Sequence, residues 1–153
     1  MKYHLAQINV AKMHGVNIDD PIMKEFKDNL DRVNELAESS KGFVWRLKDE
    51  SNNAASFNPY NDEQIIINIS VWEDVKSLEA FTYQSFHTGF VKRRKEWFRK
   101  FGKAYFALWW SPVGEFPTID QSVKRLELLQ ENGPSQEAFT FKDSFPQPTE
   151  TTL

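Results

Sequence analysis

"QIIINISVWEDVKSLEAFTYQSFHTGFVKRRKEWFRKFGKAYFALWWS" (residues 64–111) reads as strand, helix, strand, and its reading decides the fold. Residues 64–72 are a β-branched and aromatic run bounded by polar residues, the signature of a strand. From Glu73 to about Phe101 the pattern turns helical, with a break expected near Tyr83 to Ser85. "AYFALWWS" then returns to a strand. The same order precedes it. "YHLAQINV" (residues 3–10) alternates Ala6, Ile8 and Val10 with Leu5, Gln7 and Asn9, the period of two of a strand. "DDPIMKEFKDNLDRVNELAESSKG" starts with Asp20 as N-cap and Pro21 at the first helical position. It repeats apolar groups at Ile22, Phe26, Leu30, Val33 and Leu36 or Ala37, and closes near Gly42. "FVWRLK" (residues 43–48) reads as the second strand, and the aperiodic "DESNNAASFNPYND" after it as a long loop or a loosely made hairpin, the segment expected to be most mobile.

The sum is βαββαβ, an α+β ferredoxin-like arrangement with one antiparallel sheet and both helices on one face. The other face would then lie bare. A face rich in Ile, Trp and Phe is too large an apolar patch for water, so a second copy of the chain is expected to cover it, giving a homodimer through the sheet face. Beyond the fourth strand, Thr118 and Gln121 stand at capping-box spacing before Ile119, Val123, Leu126 and Leu129, with a Gly133-Pro134 stop. That is a third helix. "EAFTFKDSF" (residues 137–145) reads as an edge strand or an arm. A single domain over residues 1–146 and a disordered tail at 147–153 are expected.

A chain of 153 residues that is 40% hydrophobic, with thirteen Phe and five Trp, can build a real core. A formal charge of -3 argues against nucleic acid or an anionic membrane as principal partner. With no cysteine there are no disulfides, thiolate metal sites or Cys nucleophiles. No signal-like run or membrane-length apolar segment appears, so the cytoplasm is the expected location. His4, His14 and His87 lack ligand spacing, and no Gly-rich phosphate loop is present, so neither a metal nor a cofactor is expected.

Taking residues 87–101 as one helix, Val91, Arg94, Phe98 and Phe101 fall on the same stripe as His87, with Phe90 and Trp97 on its flank. Lys92, Lys95, Glu96, Arg99 and Lys100 fall opposite, a solvated face. Arg94 inside an apolar stripe needs a counter-charge, because it stays charged and its unpaired burial is costly. Two readings stand: an internal ion pair with Glu25, Asp28 or Glu79, or a ligand anion. His87 is either a half-buried donor satisfied by the fold or a site residue. If Gln7, Asn9, Asn68 and Ser70 all turn towards the helices, polar groups converge on one side of the sheet, though alternation alone does not say which face each strand presents.

"LAQINV", "GFVWRL", "SVWEDVKSLEAFTYQSFHTGFVKRRKEWF" and "ALWWSPVGEFPTIDQSVKRLELLQENGPSQEAFTF" together resemble an uncharacterised bacterial domain-of-unknown-function family in the dimeric α/β-barrel superfamily. The RR-x-x-WF run, the LWW-x-P-x-G turn and the NGP-x-x-x-AF-x-F ending carry the resemblance over residues 3–146. It implies a ferredoxin-like subunit that dimerises by sheet packing. More distantly, "VWEDVKSLEAFTYQSFHTGF" is similar to the antibiotic-biosynthesis monooxygenases, which oxidise aromatic polyketides with dioxygen and neither metal nor flavin. On that resemblance His87 lies in a pocket between helix and sheet, Asn9 is the first-strand polar group and Trp72 begins the wall. Haem-degrading cousins carry a Trp inside the helix and a later His, where this chain has Tyr83 or Gln84 and Phe90 to Lys92. The combined expectation is a binder of a small organic molecule, with His87 and Arg94 as catalytic candidates and Asn9, Asn68, Trp72, Tyr83 and Trp97 as substrate-binding candidates. The reaction implied is cofactor-independent monooxygenation of an aromatic or quinol-like substrate; the alternative is a binding module without activity.

Overall fold

The computed structural model describes residues 2–48, 59–87, 89 and 93–148, without the side chains of residues 86 and 87. The chain runs β1 (Tyr3–Lys12), α1 (Lys24–Glu38), β2 (Phe43–Arg46), β3 (Ile65–Trp72), α2 (Val75–His87), α3 (Arg94–Trp97), β4 (Phe106–Pro112) and α4 (Ile119–Asn132). The four strands form one antiparallel sheet in the order β2-β3-β1-β4, the ferredoxin-like topology.

Local chemistry accounts for most boundaries. Asp20 accepts from Ile22 N, with Pro21 at the first position, as the sequence predicts. The turn they start, Pro21–Met23, is 3-10, and α1 follows it, so Ile22 is exposed rather than inward. Thr118 and Gln121 form the expected reciprocal capping box of α4, and Gly133 ends that helix at φ 76°.

Register sorts the side chains. β1 pairs Gln7 with Ser70 and Asn9 with Asn68 on β3, and with Leu108 and Phe106 on β4. Residues directly opposite one another share a face, so these polar side chains lie on the same side of the sheet. Helices α1 and α2 lie on that side, the near face. Ala6, Ile8, Val10, Ile67, Ile69, Val71, Ala107 and Trp109 form the far face, all of them buried.

Two expectations are corrected here. The far face is not bare: α4 turns Leu126 and Leu129, flanked by Ile119 and Val123, onto it, and Ala138 closes the same core. The bare-face argument missed this because an amphipathic helix beyond the fourth strand needs an apolar surface as much as the sheet does. Residues 87–101 are not one helix either. α2 ends at His87, Gly89 has φ 85°, α3 is a single turn and Phe98 is extended, bridging Met13. The helix break therefore lies beyond Tyr83–Ser85, which remain inside α2. A positive φ at Gly89 redirects the chain, and helical phasing does not carry across it.

The segment after α4 is an arm. Phe139 exchanges two backbone hydrogen bonds with Leu108, both 2.8 Å. The Trp110 indole donates to Phe145 O at 2.9 Å, and the Gln147 amide donates to Tyr3 O. Most of the expected loop at 49–62, and residues 149–153 of the expected tail, lie outside the described residues.

Candidate functional site

The near face is not a continuous core. Leu5, Trp72 and Leu108 belong to one apolar cluster with Ala37, Leu78 and Phe139, while Ala11 and Met13 belong to another with Met23, Phe26, Trp97 and Phe98. Between the clusters run Gln7, Asn9, Asn68 and Ser70. Above them opens a cavity of about 410 Å³, walled by the inner sides of α1 and α2, by α3 and by the arm. Its size suits a small organic ligand.

The four polar residues form a network. Gln7 Nε2 donates to Asn68 Oδ1 and to Ser70 Oγ, both at 2.7 Å. Asn9 Nδ2 donates to Gln7 Oε1 at 3.1 Å and to Asn68 Oδ1 at 3.3 Å. The Trp72 indole N–H donates to Ser70 Oγ at 2.9 Å, which fixes a ring already held edge-on by Phe43 and stacked on Phe81.

Arg94 meets the cavity from α3. It is half-buried, and its guanidinium lies 4.6 Å from the Tyr105 ring centroid and 5.2 Å from that of Phe98. Burial holds it below the usual arginine range, opposed by Tyr105, but an arginine stays charged at neutral pH. The internal ion pair does not form: among the described residues no carboxylate pairs with Arg94. Glu25 and Glu96 are taken by Arg93, and Asp28 by Lys24. Adjacent arginines thus divide the roles that sequence alone left undivided. Arg93 is the ion-paired one, and Arg94 faces the cavity.

Of the expected site residues, Asn9, Asn68, Trp72, Arg94 and Trp97 all line the cavity. Tyr83 does not: it is 65% exposed and lies outside the cavity lining, because on α2 it is Leu78, Phe81, Thr82 and Ser85 that turn inward. The side chain of His87 lies outside the described residues. The expectations missed Asn34, Arg46 and Phe141. Asn34 is 7% exposed and lines the cavity with no hydrogen-bond partner among the described residues; its place on the Phe26–Leu30–Ala37 stripe of α1 was legible. Arg46, beside Ser70 in register, is buried and bound to Glu38 Oε1 at 2.8 Å. Phe141 comes from the arm and packs on Phe106 at 5.2 Å. No local pattern announces where such an arm will lie. Among the described residues no cluster of acidic and histidine side chains is placed to hold a metal ion, and no helix is long and apolar enough to cross a membrane.

A ferredoxin-like sheet with a ligand-sized, partly polar cavity beneath its helices defines a class of small α+β proteins. The chain belongs to the family described as a domain of unknown function, DUF3291, whose model matches residues 4–153. Among solved structures it is similar to SnoaB, a cofactor-independent oxygenase from Streptomyces nogalater. The identity is 14% and the TM-score 0.50, over 76% of this chain and 97% of that one. At that identity the likeness is one of fold. No functionally curated protein matches the sequence.

Proposed function

We propose that the cavity binds a small aromatic or anionic organic molecule and that the protein oxidises it with dioxygen as a cofactor-independent monooxygenase. Arg94 carries this reading. A half-buried cation that lines an aromatic cavity, with no carboxylate beside it among the described residues, is an electrostatic site for an anion or for charge that develops during reaction. The oxygenase reading is supported by the fold shared with an oxygenase.

In this scheme the substrate is a carbon acid, such as a methylene between two aryl rings, or a quinol. Deprotonation lets it pass electrons to dioxygen. Overall, a methylene and one O2 become a ketone and one water, so the substrate supplies every electron that the second oxygen atom takes up. Asn9 and Asn68 hold the substrate carbonyl or hydroxyl, Arg94 stabilises the enolate or phenolate, and His87 acts as base or orienter. Trp72 and Trp97 supply the flat walls.

Oxygen uptake under air with anthrone and with a naphthoquinol tests it, comparing the wild type with Arg94→Gln and His87→Ala. Uptake above the buffer blank that falls with Arg94→Gln is the expected result. No uptake by the wild type removes the oxygenase reading for these substrates.

A homodimer belongs to the same proposal on narrower ground than a bare sheet. Trp45 stacks on Phe116 at 5.0 Å, and Phe116 is itself 49% exposed, an apolar patch that a second copy would cover. Light scattering at micromolar concentration reads the mass; a monomer there sinks this part.

A further inference from the structure

The polar network limits which ligand the cavity can take. Gln7 is 2% exposed and sits at its hub. Its Nε2 spends both protons on Asn68 Oδ1 and Ser70 Oγ, and its Oε1 receives Asn9 Nδ2. Asn9 Nδ2 also reaches Asn68 Oδ1, so Asn68 has its oxygen occupied twice and Asn9 has its nitrogen spent twice. Among the described residues, what remains for a ligand is the Asn68 NH2 and the Asn9 carbonyl oxygen, one donor and one acceptor on the same wall.

This complementarity does not depend on which way the amides are drawn. Two like ends in contact repel, so the three amides turn only as a set. Turned together, they exchange the roles of Asn9 and Asn68 and again leave one donor and one acceptor. The locked pair is mismatched to a ligand edge that only accepts, since a buried carbonyl would then face an oxygen with no proton between them. A free asparagine could rotate to suit such a ligand; a locked one cannot.

We infer that Gln7 is a positioning residue whose side chain locks Asn9 and Asn68 in opposite senses, selecting an aromatic ligand that carries both a carbonyl and a hydroxyl. The inference rests on the cavity being the ligand site of the proposed function and adds the chemical class. It also separates a residue that orients the amides from those that touch the ligand.

The test uses 7-hydroxy-1-tetralone and 7-methoxy-1-tetralone, which share a skeleton and a ketone and differ in that a methyl group replaces the hydroxyl proton. Titration calorimetry on the full chain should show the hydroxy compound bound about tenfold more tightly by the wild type, the worth of one matched hydrogen bond against an unpaired acceptor. Gln7→Met, close in volume and without hydrogen-bonding capacity, should bring the two within about twofold of each other. Gln7→Leu serves the same purpose if the Met variant melts early. A purely structural role for Gln7 would weaken both ligands alike and leave their ratio unchanged. Equal binding by the wild type, or a ratio unmoved by both variants, overturns the inference while the proposed function stands. If neither tetralone binds but anthrone still drives oxygen uptake, the inference alone fails. Failure of both assays removes the cavity reading with it.

Discussion

The two faces of one sheet have opposite fates although the same strands build them. On the far face, Ala6, Ile8, Val10, Ile69 and Trp109 are all apolar and α4 lies directly over them, leaving Ile8 and Ile69 without exposed surface. One residue along each strand, the near face carries Gln7, Asn9, Asn68 and Ser70, and the helices above leave a cavity instead of closing down. Polar side chains that satisfy one another need not be covered by protein, whereas a bare apolar face loses roughly 25 cal/mol per Å2 for as long as it meets water. The far face therefore holds the fold together, and the near face gives up packing and leaves a cavity of ligand size.

That division predicts a separation of effects. The largest belongs to the far face: Leu126→Ala, which empties a fully buried site under α4, should cost about 2–5 kcal/mol in urea unfolding and leave ligand affinity in the surviving folded protein nearly unchanged. A loss below about 1 kcal/mol would show that α4 is not the closing element. On the near face, Arg94→Gln should weaken 2-naphthoate by about 10- to 100-fold, the range for a hydrogen bond to a charged group, and leave 2-naphthol unaffected. Its melting temperature should hold or rise, since the change removes a half-buried cation that no described carboxylate neutralises. A marked fall in stability would mean that Arg94 is structural. Thr118→Ala breaks the capping box of α4 and should cost about 1 kcal/mol by the same unfolding measurement, again without changing affinity. The smallest effect is expected at Asn34→Ala. Stability should move by less than about 0.5 kcal/mol, because no described protein partner is lost, while naphthoate binding weakens a few-fold.

Legibility followed the range of the interactions. The alternation of β1, the Asp20 and Thr118 caps and the Gly133 stop depend on residues within a turn or two of one another, and each stands where the sequence places it. The alternating strand pattern also places Gln7 with Asn9 and Asn68 with Ser70. It did not say that the two pairs meet, since a shift of one residue in register would have sent one pair to the far face. Tyr83 faces away because the inward stripe of α2 is Leu78, Phe81, Thr82 and Ser85, and the 87–101 helix fails for a separate reason. A phase calculated along a continuous helix loses meaning where Gly89 turns the chain. Asn34 lies on the stripe that buries Phe26 and Ala37 and is within reach of the same helical arithmetic, but an asparagine in a helix reads as a solvated residue.

By itself, then, the sequence determined the elements, their order and hence the ferredoxin-like topology, because hydrophobic periodicity and capping are short-range properties of the chain. Only the tertiary structure decided that α4 covers the far face, that Arg93 takes Glu25 while Arg94 meets the cavity, and that three amides from two strands interlock. Each of these joins groups far apart in sequence, and such partners are selected by shape and charge once the sheet is assembled.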